Sequence, residues 1–317
     1  MEGNLVLAIG GENLIDFVSE EVNGDNLPKY IANPGGSPFN VAIAAARQGQ
    51  NVSYLTPISE DCLGSLLFKR LQDSGVSIAA PRVPEPTSLA IVSLLDGNPS
   101  YSFHRNGTAE RQLTSVGLEN YFPKKATLFH VGSLGLIDGD DAEVWEQFFL
   151  KNKERGVLTS LDPNVRPSLI TDRSNYEDRI FRMMLNADIF KLSDEDLLWL
   201  YPNRPLEKAI EDCRSACNAV LFIVTLGAEG SLGYVGHHEV RVSAPKVKNL
   251  IDTVGAGDTF MATILSWIME TRRLSREKLA EVDESALREV MLLASAAAKI
   301  NCERVGCNPP ERHELYL

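Results

Sequence analysis

The sequence predicts an α/β protein, a mostly parallel β-sheet flanked by helices with a small second sheet inserted as a lid. Three observations lead there. Short apolar runs alternate with longer segments of helical periodicity, the pattern of a parallel sheet covered on both faces. Two segments break that rhythm and read as β-hairpins. The 317 residues are 44% apolar and 23% charged, an ordinary soluble balance, and the chain is long enough to bury a core without disulfides or a structural metal.

In order, residues 5–9 form an apolar strand and 38–48 an Ala-rich helix. Residues 52–56 form a strand. Residues 61–74 form a helix with Leu63, Leu66, Leu67 and Leu71 on one face. Strands follow at 128–131, 157–161, 189–192 and 221–226, with helices at 142–153, 205–218, 255–270 and 285–301. The first hairpin pairs 14–18 with 27–31 around Asn23-Gly24-Asp25-Asn26. The second pairs 88–95 with 100–105 around Asp96-Gly97-Asn98-Pro99. The inserted segments, about 12–36 and 88–107, form either one lid sheet or two unrelated surface hairpins. With no internal repeat, low-complexity tract or linker, residues 1–317 read as a single domain. The charge-rich runs 119–125 and 272–284 read as solvated faces and loops, and His237-His238 as an exposed turn.

The chain carries 31 basic and 43 acidic residues, a net charge of −12. Nucleic-acid backbones and anionic membranes want the opposite sign, so neither is an expected partner. No stretch reaches the roughly 20 apolar residues of a membrane helix, and no secretory pattern opens the chain. Cys62, Cys213, Cys217, Cys302 and Cys307 are odd in number and lack a CxxC pair. They read as buried, reduced thiols, and the expected location is the cytoplasm.

The strongest chemical signal is Asp252-Thr253-Val254-Gly255-Ala256-Gly257-Asp258, leading directly into a helix. Glycines admit a close ligand, and the first N–H groups of a helix point outward with the positive end of the dipole. A carboxylate in such a turn suits removal of a proton from an attacking hydroxyl while the amides hold a phosphoryl group. It equally suits a simple helix cap. GxxxxGK[ST], GxGxxG after a strand, GxSxG and HExxH are all absent.

The turn at 252–258 resembles the C-terminal signature of the ribokinase-like, or PfkB-type, carbohydrate kinases. Asn33-Pro34-Gly35-Gly36-Ser37-Pro38-Phe39-Asn40-Val41-Ala42 resembles their N-terminal signature. Further matches place the chain nearest the fructokinase branch. They are Gly11-Glu12 with Asp16, Arg105-Asn106-Gly107-Thr108-Ala109, Asp162-Pro163-Asn164-Val165-Arg166-Pro167 and Lys191-Leu192-Ser193-Asp194-Glu195.

The resemblance implies that Asp258 is the general base and that the N–H groups of Gly255, Ala256 and Gly257 form an anion hole for the γ-phosphate. It puts Asp16 and Asn40 on sugar hydroxyls, Gly35-Gly36 at a hinge, and Arg105, Asn164 and Arg166 near substrate. Lys191, Ser193, Thr225, Gly227, Gly230, Ala297 and Asn301 fall on the ATP side. Asp252 is the candidate ligand for a monovalent cation such as K⁺. Many relatives carry Asn-x-x-Glu where this chain has Ser193 and Asp196, so Asp196 is the candidate for the Mg²⁺ network. Each position has a structural alternative. Asp16, Gly35-Gly36 and the 162–166 loop serve equally as turns, Asn40 as a cap, Arg105 as an edge-strand charge and Ala297 as packing. The implied reaction is ATP-dependent phosphorylation of a primary hydroxyl, with fructose foremost. 2-Keto-3-deoxygluconate or ribose, or a non-catalytic sugar sensor, are the alternatives. A homodimer through the lid is the expected assembly, because hairpins expose pairing edges.

Overall fold

The fold is a computed structural model that describes residues 5–19, 29–95 and 98–315, with the backbone alone over 92–95 and 98–101. The turn expected at 23–26 and the Asp96-Gly97 step lie outside the described residues. The main sheet has nine strands among the described residues. In spatial order they are His238–Val242, Ser231–Val235, Leu221–Thr225, Ile189–Ser193, Leu158–Asp162, Ala126–Gly132, Val6–Gly10, Val52–Tyr54 and Ser77–Ile78. All neighbours from Leu221–Thr225 onward pair in parallel, and the first two strands add antiparallel.

Side-chain alternation splits the core into two layers. Leu7 and Ile9 face a cluster with Phe39, Leu67, Ile264 and Leu287, from four helices: Ser37–Arg47, Cys62–Asp73, Ala256–Glu270 and Glu284–Cys302. Ala8 and Phe129 face the other cluster with Trp145, Ile180 and Ile210, from helices Gly139–Glu154, Arg173–Asn186 and Leu206–Ala216.

The two hairpins do form one separate sheet. Its four strands run Tyr30–Gly35, Leu14–Ser19, Ser88–Leu95 and Asn98–His104. Parallel pairing of Leu14 with Ser88 through Val18 with Val92 joins the hairpins. The second strand lies later than expected, over Tyr30–Gly35 rather than 27–31, so Gly35 ends a strand and Gly36, at φ 112°, makes the turn. Asn98 and Pro99 belong to the last strand, not to the turn.

Periodicity missed the helices Ser115–Tyr121, Arg173–Asn186, Asp194–Leu200 and Arg276–Ala280. Arg173–Asn186 is polar on average, and its buried stripe of Tyr176, Ile180, Met183 and Met184 is the signal that marks it. Arg276–Ala280 lies inside a charge-rich run because Ser275 caps it. His237 is in the expected turn, but His238 opens a strand. The cysteines are not all buried: Cys62 is exposed at the first position of its helix, and only Cys213 is fully buried. Among the described residues, no helix is long and apolar enough to cross a membrane.

Candidate active site

Parallel sheets gather ligands at the carboxyl ends of their strands. Here Gly10, Asp162, Ser193 and Thr225 end adjacent or near-adjacent strands, and the helix Ala256–Glu270 brings Asp258 to that edge. Its cap, Gly255, is left-handed at φ 76°, and a Cβ there would run into the Cys307 thiol. Both facts demand glycine. The amides depart from expectation at Ala256, whose N–H donates to Thr253 O at 3.2 Å and closes the turn. Among the described residues, no acceptor takes the N–H of Gly255 or Gly257. The N–H groups of Gly255 and Gly257 are thus left open next to Asp258, and Ala256 between them closes the turn.

Asp258 is 7% exposed. Its Oδ1 accepts the Ser37 hydroxyl at 2.7 Å and its Oδ2 accepts the Asn40 amide at 2.8 Å. Asn40 is therefore a hydrogen-bond donor to Asp258 rather than a free cap. Burial pushes the Asp258 carboxyl upward and the Asp162 charge adds to it, while Ser37, Asn40 and the Lys191 ammonium pull against them. Hydrogen bonds that favour the charged form, set against burial that makes it more basic, are the balance a proton acceptor wants. Ser37 escaped notice within its signature because a small hydroxyl before Pro38 reads as helix-start chemistry.

Glu12 sits behind Ser37. It is 1% exposed, its Oε1 accepts the Ser37 N–H at 2.7 Å, and its Oε2 has no partner among the described residues. Burial, then the Glu110 charge, push Glu12 up to about 7, against the pull of Ser37 and Arg105. A Cβ at Gly36 would lie 2.8 Å from the Glu12 carbonyl oxygen. The Gly35-Gly36 step thus lets the lid strand turn tightly over this carboxylate.

The lid supplies a second group. Asp16, Ala90 and Phe103 are in register across three strands, so they share one face of the lid sheet, and Arg105 follows directly after the last strand, Asn98–His104. A Cβ at Gly35 would overlap the Asp16 carboxylate. Burial pushes Asp16 up to about 6, and only the Arg166 charge opposes it. Arg105 is 8% exposed and donates from Nε to Glu110 Oε1 at 2.7 Å. It lines a cleft of about 430 Å³ with Phe103, Ile137 and Leu169. The edge-strand reading of Arg105 therefore fails, because its guanidinium is buried.

Lys191 and Asp162 form a buried pair, Nζ to Oδ2 at 2.6 Å. Burial works against the Lys191 charge, but Asp162 outweighs it and raises the amine. The Nζ lies 3.5 Å from where a Cβ on Gly257 would stand, directly beneath the turn. Asp196 places Oδ1 on the Val165 N–H at 2.8 Å and Oδ2 on the Ser193 N–H at 3.0 Å. Ser193 returns a hydroxyl acceptor to the Asp196 N–H, a capping box. These two residues hold the 162–166 loop; neither projects free donors into the site. On that loop Asn164 adopts φ 39°, and its Oδ1 accepts from the exposed Arg166 at 2.6 Å.

On the nucleotide side, Gly227 at φ 52° has open space where a Cβ would be, whereas a Cβ at Gly230 would strike the Val242 carbonyl. Gly230 is thus a backbone requirement, and Gly227 is the surface left open. The Thr225 hydroxyl leans back onto Leu192 O at 3.5 Å. Asn301 and Ala297 are fully buried. Asn301 donates to Val254 O at 2.7 Å and accepts the Asn308 N–H at 2.9 Å, so it ties down the phosphate turn. Leu250, Ile251, Val254 and Val305 are exposed apolar side chains close in sequence to this turn or to the end of the last long helix. Asp252 accepts the N–H groups of Val254 and Gly306, each at 3.0 Å. Among the described residues, no group of three His, Cys, Asp or Glu side chains could cage a metal ion. With both carboxylates on backbone amides, Asp196 and Asp252 are braces first.

A buried carboxylate at a helix start with open amides beside it suits a phosphotransferase acting on a hydroxyl. The comparisons agree. Residues 4–314 match the profile of the pfkB family carbohydrate kinases, and the chain belongs to that family. It is 35% identical over 280 residues to the fructokinase of Rhizobium leguminosarum bv. trifolii, covering 88% of this chain and 84% of that one. It is 33% identical over 316 residues to fructokinase-1 of Oryza sativa subsp. japonica, covering 98% and 95%. The crystal structure of a fructokinase from Xylella fastidiosa with bound ATP superimposes with a TM-score of 0.87 at 26% identity, over 98% of this chain and 97% of that chain. The fold is ribokinase-like and the chain is an ATP-dependent sugar kinase.

Proposed function

We propose that the protein phosphorylates D-fructose at a primary hydroxyl, giving fructose 6-phosphate and ADP, with Asp258 as general base. The observation that carries this reading is the Asp258 carboxylate held by Ser37 and Asn40 beside the open Gly255 and Gly257 amides. The sugar oxygen attacks the γ-phosphorus, the bond from that phosphorus to the β,γ-bridging oxygen breaks, and the hydroxyl proton passes to Asp258. The two amides and the Lys191 ammonium beneath them meet the growing charge. Asp16 and Arg105 orient the sugar from the lid, which excludes water that would otherwise hydrolyse ATP. Fructose suits this lining because each neutral hydroxyl both donates and accepts.

The adenine lies against Ile251, Val254 and Val305, beside the open face of Gly227. A bound Mg²⁺ would neutralise phosphate charge. The absence of a ready cage among the described residues suits an ion that arrives on the nucleotide with its own waters, while Asp162 and Asp196 add negative charge nearby. A monovalent ion such as K⁺ would lie by the 252–257 turn, against backbone oxygens, with Asp252 bracing them. The exposed register pair Val18 and Ile31 suits a lid-to-lid dimer. The free cysteines suit a reducing cytoplasm.

A coupled ADP assay over a substrate panel tests the reading. Fructose should show the highest kcat/KM. Turnover confined to ribose or to 2-keto-3-deoxygluconate would displace it.

A further inference from the structure

We infer that Glu110 sets the charge preference of the sugar site: by holding Arg105 in a buried ion pair, it makes the lid face select an uncharged sugar over a sugar acid. The inference rests on the sugar-kinase reading above. An arginine lining a cleft would ordinarily invite a carboxylate, which its planar fork matches. In this chain that charge is already met. Glu110 is 2% exposed, and its Oε1 accepts both Arg105 Nε and the Ser88 hydroxyl at 2.7 Å. The Thr108 hydroxyl fixes the Arg105 carbonyl at 2.8 Å, so the pair cannot swing apart without breaking a buried network. Glu12 is a second carboxylate within electrostatic reach of both partners.

Only the Nε of Arg105 is taken by Glu110; its Nη2 is buried and without a partner among the described residues, on a residue that lines the cleft. A guanidinium whose charge is already neutralised fits a hydroxyl or ring oxygen. A ligand carboxylate there would meet the like charge of Glu110, and such juxtaposition discriminates strongly between partners.

The test compares kcat/KM for D-fructose and 2-keto-3-deoxygluconate in the wild type, in Glu110→Gln, and in Glu110→Gln combined with Arg105→Met. Glu110→Gln keeps the shape and the Ser88 contact but frees the guanidinium charge. It should raise the ratio of sugar acid to fructose by roughly ten- to a hundredfold, the worth of a charged hydrogen bond. Adding Arg105→Met should abolish that gain, which a merely structural role for Glu110 would not require. A folded Glu110→Gln enzyme with an unchanged ratio overturns the inference.

Should Glu110→Gln not fold, the wild type decides. Its inhibition constants are measured for a fructofuranose analogue bearing a carboxylate in place of one hydroxymethyl group, and for the neutral parent. Equal or weaker binding of the acid supports the inference, and binding about tenfold tighter overturns it. Wild-type turnover of fructose keeps the kinase reading intact under either result. A wild type inert toward every sugar sinks that reading, and the inference with it.

Discussion

The proton affinity of Asp258 is set by two small neighbours and by burial. Ser37 and Asn40 each give it a hydrogen bond that favours the charged form, and burial works against them. Removing one donor shifts that balance in a known direction. In Ser37→Ala the carboxylate loses its Oδ1 partner, so its proton affinity rises. The acidic limb of the kcat–pH profile should move to higher pH by up to about one unit, the scale of one charged hydrogen bond. An unmoved limb would show that the Ser37 hydroxyl does not tune the base. Asp16, pushed up to about 6 by burial, adds its own loss of sugar binding as the pH falls through that value. Ser37 was legible only as part of a signature, since its chemistry depends on a residue 221 positions away. Asn301 and Ala297 misled for the opposite reason: a residue near a ligand site in sequence can point into the core.

At the scale of elements, the central parallel strands were the easiest to read, because both their faces are buried and their runs are mostly apolar. The helix Arg173–Asn186 was harder, since surface charges dilute its buried stripe. The Gly35-Gly36 turn joins a lid strand to the helix Ser37–Arg47, and Glu12 is sealed beneath it. Its carboxyl, ordinarily near 4.5, is raised to about 7 by the fold. A raised acid binds its proton more tightly in the native state, so native stability falls as pH rises between those two values. Glu12→Gln keeps an oxygen for the Ser37 N–H and removes the buried ionisation. At pH 8 the variant should melt higher than the wild type, by at most about 3 kcal/mol of stability. Below about pH 4.5 the two should converge, since both proteins then carry a neutral side chain there in either state. Thermal melts at the two pH values check this, and a variant less stable at pH 8 would show that the Glu12 charge is used rather than suppressed.

Across the whole molecule, the main sheet and its helix Ala256–Glu270 carry Asp258, while the four-stranded sheet carries Asp16. Ser37 and Asn40, on the helix that follows the lid strand, tie the two together through Asp258. Both hairpins and their union were readable because two turn-bounded alternating segments have few ways to bury their faces in an otherwise covered α/β chain. Their parallel junction, Leu14 to Ser88, was not, because strand partners across 74 positions leave no local signal. The same holds for the Arg105–Glu110 pair: five residues apart, it reads as an ordinary charged turn until burial is known.

The account stands on Asp258 taking the proton from the attacking hydroxyl. Steady-state turnover of the Asp258→Asn enzyme with fructose and ATP measures this most directly. The substitution keeps the shape and leaves the Ser37 and Asn40 contacts largely in place, so KM should change little. The account predicts a fall in kcat of roughly 10²–10⁴-fold, the contribution of a positioned general base. A variant turning over within about tenfold of wild type would contradict it.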